Sequence, residues 1–281
     1  MYPVDFSYVR VDNVEEAVKF LESHEDSRPL AGGQSLIPML KLRVISPSYI
    51  VDLNPISSLS YVRSSFNSTR IGALTRYNDI LKSDLVKINV PLLHQAVKVV
   101  GDMQVRNLGT IGGSVANSDP SADVPVVLTA LNAEIVLTSS SGNRTVNALD
   151  FFKGAFTNDI RKGEIVSEII LPHLEGYRTF YRKVVRRAGD FAIVSLALAV
   201  KLRGSEIEDI RLAYGGVSDK PFRALEVEKS VIGRKLNNDT IEEIVNKVSS
   251  QVNPPSDTRG SSWYRKEVMK VITRKTLKEV G

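Results

Sequence analysis

The sequence contains no cysteine. That excludes a disulfide framework, a thiol nucleophile and a cysteine-ligated iron-sulfur cluster from this chain, so any cluster that serves it must sit on a partner. Histidine is scarce: His24, His94 and His173 stand alone, without the i, i+3 or i, i+4 spacing of a helical metal site, and read as surface or structural residues. Neither a metal site nor a catalytic acid, base or nucleophile is expected. GxSxG elbows, Walker phosphate loops and GxGxxG turns are also missing, which removes the signatures of the familiar hydrolases, nucleotide triphosphatases and Rossmann enzymes. Long apolar runs do not occur. FAIVSLALAV at 191–200 is about half of a membrane span, and MYPVDFSYVRVD at the start lacks the charged and apolar regions of a signal peptide, so a cytoplasmic protein is expected.

Charge of one sign is not in excess to any useful degree. The 37 basic and 32 acidic residues leave a net +5 that is dispersed along the chain, which argues against nucleic-acid binding. With 281 residues, 42% hydrophobic and 25% charged, the chain can bury the core of one large domain or two of ordinary size.

The pattern that is present alternates between helix and strand. Asn13 can cap VEEAVKFLES, where Val14, Ala17, Val18 and Leu21 recur at helical spacing. A glycine turn, a short helix and the strand YIVDL at 49–53 follow. RIGAL at 70–74 reads as a strand, with Thr75 capping a short helix through Leu81, and Val90 to Val100 is helical. Residues 132–148 read as a hairpin around Ser-Gly-Asn. From about 175 the order changes: strands first, including two joined at Gly204, then helices. Asp239 with Glu242 forms a capping-box pattern before one helix, and Ser262 can cap the last. The fold class is therefore α+β, with a separate C-terminal α+β domain.

Two stretches stand out, AGGQS at 31–35 and GTIGGSVANSDPSADVP at 109–125. Each sets adjacent glycines among small or hydroxylated residues. Such glycines permit positive φ and close backbone approach, so that successive N–H groups can converge on phosphate oxygens. Each pair is also an ordinary turn signal. The second carries more, because Asn117, Ser118, Asp119 and Asp123 offer the donors and acceptors that a sugar-phosphate ligand requires. Without a Walker lysine, a dinucleotide held by neutral backbone groups fits better than a triphosphate being hydrolysed.

AGGQSLIPMLKLR and QVRNLGTIGGSVANSDPSADVP resemble the two flavin-binding segments of the medium subunit of molybdenum-containing hydroxylases, the family of carbon monoxide, xanthine and aldehyde dehydrogenases. FYRKVVRRAGDFAIVS at 180–195 and RGSSWYRKEV at 259–268 resemble further segments of the same family, so the similarity covers nearly the whole chain. It implies a two-subdomain FAD-binding domain of the vanillyl-alcohol-oxidase/PCMH-like type over 1–174, divided near 55/56, and a C-terminal α+β domain of a small antiparallel sheet and helices over 175–281. FAD would sit in this chain, with 2Fe-2S clusters on a small subunit and the molybdenum cofactor on a large one.

The resemblance places Ala31, Gly32, Gly33, Gln34, Ser35 and Leu36 in the first FAD segment, and Thr110, Ile111, Gly112, Gly113 and Ser114 in the second. Asn117 and Asp119 lie beside it. Asp123 matches an FAD-contacting position, and it can also serve as an N-cap for VPVVLTAL. Val166 and Lys183 match further contacts, and Val100 aligns near the flavin. Lys183, with Arg186 or Arg187, could place positive charge where flavin reduction builds negative charge, although a run of basic residues is also an ordinary solvated face. Phe191 aligns where several relatives carry tyrosine beside the isoalloxazine ring; its other reading is a buried strand residue. Gln34 stands where relatives often have histidine or threonine, and Ser114 where many have asparagine.

The expectation is an FAD-binding electron-transfer subunit of a molybdenum hydroxylase, aldehyde-oxidising by inference from the commoner members. It would receive electrons from an iron-sulfur small subunit, beside a molybdenum large subunit, within heterotrimers that can pair, and pass them to an external acceptor. A self-sufficient FAD oxidase or reductase and a non-catalytic scaffold remain as alternatives. Replacing Gly112 and Gly113 together by valine is expected to abolish flavin content while leaving a scaffold's assembly intact.

Overall fold

Asn13 begins the first helix as its chemistry requires. Its side chain accepts the Glu16 N–H at 2.9 Å, and the Glu16 carboxylate reaches back to the Asp12 N–H. The computed structural model describes residues 2–281. Its first unit runs β1 (Ser7–Arg10), α1 (Val14–Ser23), β2 (Ser27–Leu30), α2 (Leu36–Lys41) and β3 (Tyr49–Asp52). The strands form a parallel sheet in the order β1-β3-β2. Ala17, Val18 and Leu21 of α1 join Val51 and Leu53 in its core.

The central unit opens with β4 (Val62–Ser64) and β5 (Ser68–Gly72), then a run of short helices: α3 (Tyr77–Lys82), α4 (Asp84–Asn89), α5 (Pro91–Lys98), α6 (Met103–Leu108), α7 (Ile111–Asn117) and α8 (Asp123–Leu131). It closes with β6 (Glu134–Ser139), β7 (Gly142–Asn147), α9 (Ala148–Phe151), the small hairpin β8 (Phe152–Gly154) and β9 (Thr157–Asn158), and β10 (Ile165–Pro172). The antiparallel sheet has the order β4-β5-β10-β6-β7. Every residue of α8 is buried, as expected of a helix that is apolar all round and packed on all sides.

The last unit contains β11 (Arg178–Val184), β12 (Val194–Arg203), β13 (Glu206–Gly215), β14 (Phe222–Arg223), α10 (Leu225–Val231), α11 (Asn238–Ser250) and α12 (Ser262–Val280). Its antiparallel sheet, β11-β12-β13-β14, is covered on both faces. Alternation along β12 and β13 assigns the faces. Small residues Ala197, Ala199 and Ala213 join the central core that contains α5 and α8, while Leu196, Leu198, Leu212 and Tyr214 pack with residues of α11 and α12. The small side chains let α8 lie close to the sheet. Arg265 of α12 is fully buried and donates to the carbonyls of Ile193 and Gly216, which ties the last helix to the start of β12 and the end of β13.

Several local expectations shift. Thr75 does not cap α3; its hydroxyl exchanges hydrogen bonds with the Tyr61 backbone instead. Asn237 rather than Asp239 caps α11, and Ser261 rather than Ser262 caps α12. The strand read at 70–74 occupies Ser68–Gly72. Gly112 and Gly113 lie within the first turn of α7, not in a loop. Among the described residues no helix is long and apolar enough to cross a membrane.

Candidate FAD site

The first glycine segment is the connection between β2 and α2. Gly33 adopts φ +70°, a conformation that a side chain disfavours. Gly32 is bare for another reason: a Cβ there would lie 2.2 Å from the Leu108 carbonyl oxygen and 2.7 Å from the Gly109 Cα. The two glycine segments therefore touch through backbone. Asn54 Nδ2 holds the Ala31 carbonyl at 2.9 Å and Gln34 Nε2 holds that of Gly32 at 3.0 Å. The carbonyls are thus engaged, whereas the N–H groups of Gly32, Gly33, Gln34 and Ser35 meet no acceptor among the described residues. Consecutive free N–H groups around a positive-φ glycine form an anion-binding nest. Ser35 and Leu36 lead directly from it into α2.

The second segment is built differently. Asp102 caps α6, Gly109 follows it, and Thr110 caps α7 by accepting the Gly113 N–H at 3.1 Å. Ile111 N–H goes to the Thr75 carbonyl, Gly112 N–H to that of Ala73 at 2.9 Å, and Ser114 N–H to that of Thr110. The donors expected to converge on phosphate are consumed inside the protein. Gly112 is buried against Ala73, whose Cβ would stand 2.4 Å from an added one. Gly113 is half-buried, and beyond the Thr110 hydroxyl at 2.8 Å its missing side chain would meet only Ala31, at 3.8 Å. What this segment turns toward the first is a bare backbone face, with Ser114 half-buried beside it.

At the end of α7, Ser118 takes the left-handed conformation (φ 52°) and its hydroxyl donates to the Val115 carbonyl. Asn117 is half-buried. Asp119 is buried, accepts the Ser121 N–H at 2.8 Å, and is pushed above the usual carboxylate range by burial. Asp123 begins α8 without capping it; Ala122 is the N-cap residue. Its carboxylate meets strand β11 instead. Lys183 Nζ lies 2.9 Å from Oδ2, the Tyr181 hydroxyl donates to Oδ1 at 2.7 Å, and Lys183 also donates to the Val99 carbonyl at 3.1 Å. The Lys183 and Asp123 side chains are only 7% and 5% exposed. Burial raises the Asp123 carboxyl, opposed by Lys183 and by Tyr181. Removing either charge from such a pair leaves the other buried and unpaired, at a cost of about 3–5 kcal/mol.

Val100 follows the carbonyl that Lys183 holds and is half-buried. The connection from β11 to β12 reaches the same turn: Gly189, at φ +88°, would carry a Cβ 3.5 Å from Gly101. Arg186 does not join Lys183, since its guanidinium donates to the Thr258 carbonyl. Phe191 is 45% exposed rather than buried in a strand, and its ring faces the Arg259 guanidinium at 5.7 Å. Val166 is buried in β10, opposite Leu137, within the central core.

Three residues of the site escape the sequence reading. Arg76 donates to both the Leu108 carbonyl and the Asn54 side chain, joining the two glycine segments through long-range contacts that no local pattern signals. Tyr181 did carry a signal, because it lies two residues before Lys183 on a strand and must share its face. The donor set suits FAD: a nest for a pyrophosphate, a bare surface beside it, and a buried lysine with one of its three N–H donors uncommitted.

The comparisons agree over the whole length. A family described as the FAD binding domain in molybdopterin dehydrogenase matches residues 4–174, and the CO dehydrogenase flavoprotein C-terminal domain matches 179–280. The chain is 66% identical to the glyceraldehyde dehydrogenase medium chain of Sulfolobus acidocaldarius, with all of both chains covered. It is 33% identical to the carbon monoxide dehydrogenase medium chain of Afipia carboxidovorans, over 99% of this chain and 97% of that one. Among solved structures, a carbon monoxide dehydrogenase from Hydrogenophaga pseudoflava superposes with a TM-score of 0.95 at 34% identity, covering 98% of this chain and 96% of that one.

Proposed function

This chain belongs to the FAD-binding medium subunits of molybdenum hydroxylases, and on that premise we propose that it is the electron-transfer subunit of an aldehyde-oxidising complex. It takes electrons from 2Fe-2S clusters on a small subunit, beside a large subunit that holds the molybdenum cofactor, and hands them to an external acceptor. The aldehyde assignment rests on the glyceraldehyde dehydrogenase relative at 66% identity. Heterotrimers that pair, working in the cytoplasm, complete this reading.

Bound FAD supplies a carrier that can accept electrons from one-electron clusters and deliver them singly or in pairs. The chain's own residues divide the work of holding it, between a domain at 1–174 and one at 175–281. The N–H groups of Gly32, Gly33, Gln34 and Ser35 take the pyrophosphate, with Ala31 and Leu36 framing the turn. Gly113 allows close approach, Thr110 and Ser114 offer hydroxyls, and Ile111 and Gly112 anchor the helix that presents them. Asn117, Asp119 and Asp123 accept from sugar hydroxyls or ribityl oxygens. Lys183 sets a fixed positive charge where reduction builds negative charge, and a preorganised cation there favours the reduced form. Val100 and Val166 provide apolar walls, and Phe191 an aromatic surface at the ring.

The observation that carries this reading is the contact of a four-donor nest with a bare helical face contributed from far along the sequence. The test is the visible spectrum of the chain purified alone, with the cofactor released by heat identified. The expected result is flavin absorbance, FAD in the supernatant and no iron. Reduction by an aldehyde should then require added iron-sulfur and molybdenum subunits. A colourless chain that takes up no added FAD overturns the reading, and aldehyde-dependent reduction without partners overturns the division of labour.

A further inference from the structure

The Asp123–Lys183 pair is held from a direction that the FAD reading does not use. Strand β11 is an edge strand, hydrogen-bonded to β12 alone. Its other edge faces α5, where Gln95 supplies what a neighbouring strand would. The Gln95 Oε1 accepts the Tyr181 N–H at 2.9 Å, and its Nε2 donates to the Thr179 carbonyl and hydroxyl, both at 3.0 Å. One side-chain amide thus occupies both a donor and an acceptor of the open edge, which pins β11 against α5 at Thr179 and Tyr181. Tyr181 then projects its hydroxyl onto Asp123 Oδ1, while Lys183, two residues on, takes Oδ2.

We propose that Tyr181 and Gln95 are positioning residues for this pair: Gln95 sets the register of β11, and Tyr181 locks the carboxylate so that Lys183 keeps one direction. This rests on the reading that the pair serves FAD. Each carboxylate oxygen has one donor from β11, so the carboxylate plane is determined. Two of the three Lys183 donors are committed, to Asp123 and to the Val99 carbonyl, which leaves a single one to point at a ligand. Without the Tyr181 hydroxyl, Asp123 can turn about its last torsion and Lys183 can follow it. Tyr181 is itself buried, and a core tyrosine needs no functional role, so the test must separate packing from positioning.

Tyr181→Phe in the full chain removes one oxygen and leaves the ring. FAD dissociation constant, flavin midpoint potential and thermal unfolding are measured for it, with and without Asp123→Ala. Loss of a hydrogen bond to a charged group predicts FAD binding weaker by about tenfold and a lower midpoint potential, because the cation is less well fixed. In the Asp123→Ala background the same change should move neither quantity, since Tyr181 then has no carboxylate to hold. Gln95→Leu, which leaves the Tyr181 side chain intact, should shift both in the same direction by less. It also serves if Tyr181→Phe fails to fold. Affinity and potential equal to those of the parent overturn the proposal, as do effects that persist undiminished in the Asp123→Ala background. A parent chain that binds no FAD fails the functional reading instead, before any variant is compared.

Discussion

The glycine pairs at 32–33 and 112–113 look alike in sequence and differ in what their backbone N–H groups do. In the first, Gly33 bends the chain through positive φ and leaves a row of N–H groups open. In the second, the glycines lie in a helix whose first N–H groups already have acceptors, and Gly112 is needed because Ala73 leaves no room for a Cβ. In the first pair Gly32 packs on the Leu108–Gly109 backbone while Gly33 opens a row of donors. The second is a packing device that brings a helix close enough to form the other wall. A Gly-Gly motif therefore identifies a place where side chains are excluded, and only the fate of the backbone donors says whether a ligand or the protein itself fills the space.

That difference can be broken by substitution, and the packed Gly112 carries a larger effect than the positive-φ Gly33. Gly112→Val sets a Cβ 2.4 Å from that of Ala73 and 2.7 Å from its carbonyl oxygen, and backbone cannot yield as a side-chain tip can. A loss of about 3 kcal/mol is expected in urea unfolding. Flavin content should fall only because the fold does. The double substitution of Gly112 and Gly113 consequently tests packing and cannot separate a flavoprotein from a scaffold. Unchanged stability would mean that α7 does not press on Ala73.

Gly33→Ala should cost less and cut deeper into binding. The nearest obstacle is the end of the Ile37 side chain, at 2.6 Å, which can move. The main cost is the left-handed backbone, about 1–2 kcal/mol. The chain should stay folded while FAD affinity drops, and titration of the folded variant with FAD checks this. Equal affinity for parent and variant would remove the nest from the site. Thr110→Val comes third. It deletes the cap of α7, costing about 1 kcal/mol, whereas Thr110→Ser should be close to neutral. Comparison of the two unfolding midpoints decides it.

The same contrast explains what could be read in advance. The turn in the first segment was legible because Gly33 acts locally, through φ, whereas the strand Ser27–Leu30 before it and the packing of Gly32 on the Leu108–Gly109 backbone were not. The second drew attention through its glycines but was not read as a helix. Two glycines each cost about 1 kcal/mol of helix propensity, and the contact with Ala73 that outweighs them lies far away in sequence. Arg76 and Asn54 were hidden for the same reason. The caps at Asn237 and Ser261 were misplaced by one or two residues because neighbouring polar side chains are chemically equivalent until the backbone selects one. Lys183 was singled out by resemblance, and Arg186 does not accompany it, since the chain turns after β11 and carries that guanidinium to Thr258.

The smallest effect sharpens the contrast through pH. Between Ala31 and Leu36 there is no titratable side chain, so the first segment contributes no protonation step of its own. The second runs into Asp119, whose burial raises its pKa above the ordinary 3.8 while the Ser121 N–H and the Arg259 charge oppose the rise. For a carboxyl with a raised folded value, the folded chain keeps a proton that the unfolded chain has already released. Its contribution to stability is therefore most favourable at low pH and is lost as pH rises from about 3.8 through the folded value. Asp119→Asn removes that dependence. Acid-sensitive pairs elsewhere, such as Glu243 held at about 2 by Arg234 and Lys247, are common to both proteins and cancel in the difference. The Asn variant should gain on the parent as pH rises through this window and then run parallel to it. Urea midpoints across the range measure this. Parallel lines throughout would mean that Asp119 is not desolvated.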